Sequence, residues 1–159
     1  MDAMNEPAFT RTTSAFAMTC EVKINIQASA ESVWHLLSDA TGFSRWNSTI
    51  SGIEGQIRDG ERLKLHVPGT SRTFTPKVSG VVHARRMVWS DGLPLVFRGV
   101  RTFVLEMRDA SSTDFVMQER FSGVVFAFAK RLLPDFRPIF EAYARDLKRE
   151  AERTAAVRN

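Results

Sequence analysis

Apolar and polar residues alternate along most of the chain, and this alternation predicts a protein built largely of β-strands. In residues 19–27 the polar side chains share one face and the apolar ones share the other, namely Cys20, Val22, Ile24 and Ile26. Such a segment is typical of a strand half buried in a sheet. Six further strands are predicted, over residues 50–57, 62–67, 73–82, 86–90, 97–108 and 113–122.

Helical periodicity marks two segments, one near each end of the chain. Ser29 can cap the first, Glu31 in its first turn suits the helix dipole, and Gly42 ends it. The second runs from Gly123 to about residue 155, with a break at Pro134. Its apolar stripe consists of Phe136, Phe140, Tyr143, Ala144 and Leu147. The predicted order is therefore one strand, one helix, six strands and one long helix, an α+β arrangement.

The length of 159 residues fits one domain with a sizeable core. We expect that domain over residues 19–155, preceded by a disordered tail over residues 1–18. Twelve Phe and three Trp against a single Tyr can fill a core or line an apolar cavity. Cys20, the one cysteine, is expected to be a buried apolar residue. A single cysteine is compatible with a reducing environment, and we expect a cytoplasmic protein. No apolar run approaches the ~18 residues of a spanning helix, and the first eighteen residues do not resemble a secretory signal.

The charge distribution and the motifs of the chain indicate which classes of partner and cofactor to expect. The net charge of +4 is spread along the chain rather than gathered into a stripe, so no specific nucleic-acid partner is expected. His35, His66 and His83 fall on different elements without metal-ligand spacing, and His35 is predicted to face solvent. No nucleotide- or phosphate-binding motif is present, so we expect neither a metal nor a cofactor. Monomer and homodimer both remain open.

Three segments carry a resemblance to a known superfamily: residues 31–47, residues 99–105, and residues 118–123 with the long helix that follows. They resemble the START-like or SRPBCC superfamily, in particular its polyketide cyclase/dehydrase and lipid-transport branch, over roughly residues 19–155. The resemblance implies a helix-grip fold: a curved seven-stranded antiparallel sheet wrapped around the C-terminal α-helix, with a deep apolar cavity between them. Members bind lipids, polyketides, plant hormones or quinones, and some catalyse cyclisation or dehydration. The fold therefore does not select an activity.

A carboxylate on an apolar strand face is the sharpest local signal. Glu119 shares its face with Phe115, Met117 and Phe121, and Arg101 shares a face of the preceding strand with Phe103 and Leu105. If the hairpin closes around Ala110 or Ser111, Arg101 lies opposite or diagonal to Glu119 or Phe121. The two could form a structural ion pair, orient a polar group of a ligand, or provide Glu119 as a general base. All three roles stay open.

The candidate ligand-binding residues come from both helices and from this hairpin. Phe43 and Trp46, three residues apart, either cover a cavity mouth or pack into the core, and the Tyr143 hydroxyl needs a partner if it is buried. No catalytic residue is assigned beyond Glu119 as a candidate. The full set is Phe43, Trp46, Arg101, Phe103, Leu105, Met117, Glu119, Phe121, Phe136, Phe140 and Tyr143.

Three functions follow from these residues. The leading one is non-catalytic binding of a hydrophobic small molecule, such as a lipid, a quinone or a polyketide-like aromatic. The alternative is a cyclase- or aromatase-type enzyme that uses Glu119, Arg101 and Tyr143. The third is a protein-interaction module, chaperone- or ribosome-associated, whose surface would be the basic stripe formed by Arg145, Arg149 and Arg153.

Overall fold

A large antiparallel sheet carries the long C-terminal helix on one face. The computed structural model of the protein describes residues 5–157. In chain order the strands are β1 (Ala8–Thr13), β2 (Ala17–Ile26), β3 (Gly52–Glu54), β4 (Lys64–His66), β5 (Thr73–Phe74), β6 (Lys77–Val82), β7 (Arg86–Leu93), β8 (Phe97–Asp109) and β9 (Ser112–Ser122). The helices are α1 (Ala30–Ser38), α2 (Phe43–Trp46), α3 (Val124–Ala129) and α4 (Arg137–Val157), with 3-10 turns at Ala40–Gly42 and Lys130–Leu132.

The strands form two sheets, and here the structure corrects the predicted count of seven in one sheet. Six strands pair in the order β1-β2-β9-β8-β7-β6, and β3-β4-β5 form a separate small sheet. The predicted strand over residues 73–82 is divided between the two sheets. Pro76, which lies at the division, has no N–H to donate to a continuous ladder. The α+β helix-grip class is confirmed.

The expectation of a disordered tail is wrong for residues 8–13. They form β1, which pairs with β2 along its whole length, from Ala8 opposite Lys23 to Thr13 opposite Met18. Phe9 gives this strand an apolar anchor, because its ring lies 5.8 Å from that of Phe140 in an edge-to-face contact. Residues 1–4 of the predicted tail lie outside the described residues.

Both helices begin and pack largely as their sequence patterns predict. Ser29 caps α1 by accepting a hydrogen bond from the Ser32 N–H at 3.2 Å. The apolar face of α4 is buried against the sheet, with Phe140, Tyr143, Ala144 and Leu147 all inaccessible to solvent. Cys20 is likewise buried, and His35 is exposed. None of the helices within residues 5–157 combines the length and the apolar character needed to span a bilayer.

A buried carboxylate fixes the closed end of the β8–β9 hairpin to β2. Asp114 accepts hydrogen bonds from Asn25 Nδ2 at 2.8 Å and from Arg108 Nε at 2.6 Å, and Lys23 Nζ lies 3.8 Å away. Burial by itself would raise the pKa of this carboxyl. The hydrogen bonds and the two positive charges more than offset that effect, so the pKa of Asp114 lies below its ordinary value.

We predict that Asp114→Asn destabilises the fold at neutral pH and that this destabilisation becomes smaller in acid. Because the folded pKa is lower than the unfolded value of about 4, the ionised carboxylate stabilises the fold above about pH 4. That stabilisation disappears as the pH falls through the folded pKa. In urea unfolding, the free energy of unfolding of the wild type should exceed that of Asp114→Asn by about 1–3 kcal/mol at neutral pH. This difference should narrow below about pH 4. A gap that is constant with pH would contradict this account.

Candidate ligand-binding site

The β8–β9 pairing places Arg101 directly opposite Glu119, which is one of the arrangements that the sequence left open. Arg101 donates two hydrogen bonds to Glu119 Oε2, from Nε at 3.0 Å and from Nη2 at 2.5 Å. The side chains are only 18% and 16% exposed, so the pair is largely removed from water. Removal of either partner would leave an uncompensated buried charge and destabilise the fold.

The environment keeps the Arg101 guanidinium charged. Burial opposes the charge, but the Glu119 carboxylate and its hydrogen bonds more than offset this, and the pKa of Arg101 is raised above its ordinary value. The guanidinium carbon lies 5.6 Å from the centre of the Phe140 ring and 6.0 Å from that of Tyr143. Both distances suit cation–π attraction. The ion pair therefore lies between the sheet and α4, among rings that favour the cation.

Tyr143 is the centre of an aromatic cluster that joins the helix to the sheet. Its ring stacks on Phe115 of β9 with 6.2 Å between centroids and lies 6.0 Å from Phe103 of β8. Trp46 of α2 meets it edge-on at 5.9 Å, and Phe43 packs beside Trp46 at 4.8 Å. All five rings are buried. Phe43 and Trp46, predicted either to cover a cavity mouth or to pack into the core, thus lie in the core.

Several polar atoms inside this cluster have no hydrogen-bond partner among residues 5–157. They are the indole nitrogens of Trp46 and Trp89, the Tyr143 hydroxyl and the side-chain nitrogen of Asn47. A buried donor left unpaired costs about 1–3 kcal/mol, so a group of them in one region needs an explanation. Trp89 belongs with the others because its ring lies 4.9 Å from Phe103 and 6.1 Å from Phe43.

Tyr143 presents its hydroxyl as a donor rather than as a charged group. Burial raises the pKa of the phenol well above its ordinary value, and the positive charge of Arg101 lowers it by less. The hydroxyl therefore stays protonated throughout the neutral range. It can give a hydrogen bond to an acceptor oxygen, and it can also accept one.

Two of these polar residues were not among the predicted site residues. Trp89 follows Met87 on the inner face of β7, and the period-two pattern of residues 86–90 could have identified it. Asn47 carries no such signal. Its Oδ1 accepts hydrogen bonds from the backbone N–H of Thr49 at 2.8 Å and of Ile50 at 3.2 Å, and its amide nitrogen is buried without a partner in the described structure.

The remaining predicted site residues extend the same inner surface. Leu105 and Met117 are buried in β8 and β9. Phe121 and Phe136 are half-buried, and their rings stack with 5.0 Å between centroids toward the open end of the hairpin. The structure thus brings the predicted residues together on one side of the sheet. Their contact with a ligand remains a prediction.

Two surface depressions accompany this packed interior. One of about 240 Å³ lies between residues 38–41 and residues 55–58, and one of about 560 Å³ lies where α1 meets the last turns of α4. Neither is the deep cavity between sheet and helix that the superfamily resemblance implies. That cavity also remains a prediction.

The basic stripe on α4 is neutralised by neighbouring carboxylates. Arg145 lies 3.5 Å from Glu141 and 3.2 Å from Glu6. Arg149 pairs with Asp146 and Arg153 with Glu150, each at 2.7 Å. These pairs do not favour the stripe as a surface for an acidic partner.

Comparisons with known proteins identify the fold. A family model described as polyketide cyclase / dehydrase and lipid transport matches residues 17–152. A search of curated proteins finds no match to the sequence. Among solved structures, the Zhui aromatase/cyclase from Streptomyces sp. R1128 is similar, with a TM-score of 0.71 and 19% identity over 87% of this chain and 96% of that one.

Two further solved structures show the same architecture. A START superfamily protein from Mycobacterium smegmatis has a TM-score of 0.63 and 18% identity, over 86% of this chain and 98% of that one. A point mutant of norcoclaurine synthase from Thalictrum flavum, in complex with a transition-state analogue, has a TM-score of 0.67 and 15% identity, over 91% and 99%. At these identities the similarity shows the fold.

A double-mutant cycle on Arg101 and Glu119 should expose the cost of breaking the buried pair. Glu119→Leu leaves a buried cation unpaired, so we expect a loss of about 3–5 kcal/mol in the free energy of unfolding. The double variant Arg101→Met/Glu119→Leu removes both charges and should recover most of that loss, as measured by urea unfolding.

The pair of Arg153 and Glu150, whose side chains are 63% and 24% exposed, provides the matched control. The same substitutions there should show a coupling below about 1 kcal/mol, because water screens the exposed Arg153 guanidinium. A buried pair with equally small coupling would show that Arg101 and Glu119 do not depend on each other.

Proposed function

The chain belongs to the polyketide cyclase / dehydrase and lipid transport family, and from this we propose that it binds an apolar small molecule bearing an acceptor oxygen between its sheet and α4. A lipid, a quinone or a polyketide-like aromatic fits this description. The superfamily resemblance seen in the sequence is confirmed, and the chain has a START-like ligand-binding fold.

The unpaired buried donors are the observation that carries the proposal. The Tyr143 hydroxyl and the indole nitrogens of Trp46 and Trp89 lack partners in the described structure. Arg101 has five N–H donors and uses two of them on Glu119. A ketone, quinone or phenol oxygen in this region would satisfy donors that are otherwise costly to bury. The apolar remainder of the ligand would pack against the surrounding rings.

Binding fits the geometry better than catalysis does. A general base must be free to take a proton from the substrate, whereas Glu119 Oε2 already accepts two hydrogen bonds from Arg101. Glu119 thus serves as the counterion that fixes Arg101, and Arg101 orients the ligand. Similarity to an aromatase/cyclase keeps a cyclase-type reaction with Glu119, Arg101 and Tyr143 as the alternative. In that reaction Tyr143 would act as a proton donor.

Entry of a ligand requires the rings to separate. Phe103, Phe115, Phe140 and Tyr143 are at most 1% exposed, and the rings of Phe103 and Phe115 contact that of Tyr143. The stacked pair of Phe121 and Phe136 is less buried than they are and lies at the end of the cluster. We therefore propose that these two rings move apart to admit the ligand.

A pair of matched probes tests the role of the donors. We expect 1-tetralone, a bicyclic aryl ketone, to bind more tightly than tetralin, which has the same skeleton without the carbonyl oxygen. Tyr143→Phe should weaken 1-tetralone binding by about threefold to tenfold, the worth of one neutral hydrogen bond. Its effect on tetralin should be small. Titration calorimetry or tryptophan fluorescence gives both affinities.

Thr113→Val is the matched control, because it also removes a buried hydroxyl. Thr113 Oγ1 donates to the Ala28 carbonyl at 2.8 Å, near the closed end of the hairpin. This variant should keep the wild-type preference for 1-tetralone. The proposal fails if neither probe binds, or if Tyr143→Phe and Thr113→Val change the two affinities alike.

A further inference from the structure

We infer that an exposed apolar surface at the open end of the β8–β9 hairpin docks onto an anionic phospholipid bilayer. This surface, the end patch, consists of Leu93, Leu95, Val96, Val124, Val125 and Phe128. It goes beyond the proposed ligand site, and it can be tested without any small molecule.

The end patch exposes large apolar side chains to an unusual degree. Leu95 is 85% exposed and Phe128 is 84% exposed, and the other members are all about half exposed or more. Leu132, which follows α3, is 87% exposed. Scattered apolar residues are normal on a protein surface, but a contiguous group of this kind marks an interaction site.

Backbone hydrogen bonds join the two segments of the end patch into one surface. The Val124 N–H donates to the Leu95 carbonyl and the Val125 N–H donates to the Val96 carbonyl, each at 2.9 Å. Gly123 permits this approach with a φ of +125°, since a Cβ there would lie 2.3 Å from the Val96 oxygen. The first turn of α3 and the tip of the β7–β8 hairpin are therefore held side by side.

The conformation of Leu95 adds an independent indication. Its φ of +65° lies in the left-handed region, where a residue with a Cβ is strained relative to glycine. The side chain is nearly fully exposed, so the interior of the protein gains little from it. A strained leucine that points outward is consistent with a contact made outside the chain.

The charges around the end patch favour an anionic surface as its occupant. The two segments that carry it, residues 92–98 and 123–139, contain Arg98, Lys130, Arg131 and Arg137 but only one acidic residue, Asp135. Within residues 5–157, Lys130 and Arg131 form no salt bridge. Apolar side chains beside free basic ones are typical of surfaces that lie in the interface of anionic bilayers. Two copies facing each other would instead bring these positive charges together.

Leu95→Gly is a sharp test because it removes the apolar side chain and also relieves the strain of the positive φ at this position. In co-sedimentation with vesicles of equal parts phosphatidylcholine and phosphatidylserine, we expect this variant to bind about tenfold more weakly than wild type. Its free energy of unfolding should be unchanged or higher, since glycine adopts a positive φ without strain. Misfolding therefore cannot account for the loss.

Ala84→Gly is the matched control for the backbone change. Ala84 also has a positive φ, of +54°, and it lies at the opposite end of β7, in the turn that leads into that strand. This variant should bind vesicles as wild type does. Lys130→Gln/Arg131→Gln should reduce binding to the anionic vesicles by about tenfold or more and should not affect binding to phosphatidylcholine alone.

Three results would overturn the inference. The first is that wild type does not sediment with the anionic vesicles. The second is that Leu95→Gly binds them as tightly as wild type. The third is that size-exclusion chromatography shows a dimer that Leu95→Gly converts to monomers while vesicle binding is absent, which would assign the end patch to a second copy of the chain.

Discussion

Arg101 and Glu119 place a cation and an anion among the aromatic rings between the sheet and α4, and the arrangement of this part of the core depends on their pairing. A slip of one residue between β8 and β9 would separate Arg101 from Glu119 and turn one of them outward. The register of the central hairpin is therefore tied to the neutralisation of charge. The same pair positions α4, because the guanidinium lies against the faces of Phe140 and Tyr143.

The polar atoms of this interior are satisfied unevenly. The ion pair is complete, whereas the Tyr143 hydroxyl and two indole nitrogens nearby are buried without partners in the described structure. A core selected for stability alone would replace such donors by apolar groups of similar shape at little cost. Their concentration between the sheet and α4 is the reason for proposing a ligand there.

The sequence predicts those features whose physical causes are local. The period-two pattern and the turn residues of the β8–β9 hairpin suffice to place Arg101 opposite or diagonal to Glu119 or Phe121. A cap and an apolar stripe suffice for α1, and an apolar stripe suffices for α4. Features set by distant partners were missed. Residues 8–13 become a strand only because β2 offers an edge and Phe140 a surface for Phe9. β7 continues through Asp91 and Gly92, which have the composition of a turn, because β8 pairs with them.

The single tyrosine also allows the packing of the core to be followed by intrinsic fluorescence. Tyr143 is the one residue of its kind in the chain, and its ring lies 5.9 Å from that of Trp46. Excitation of the phenol is therefore transferred to the adjacent indole in the native state, and the tyrosine emission will rise when α4 and α2 separate. The protein thus carries an intrinsic reporter of the contact between α4 and α2, and no label is needed to follow that contact in solution.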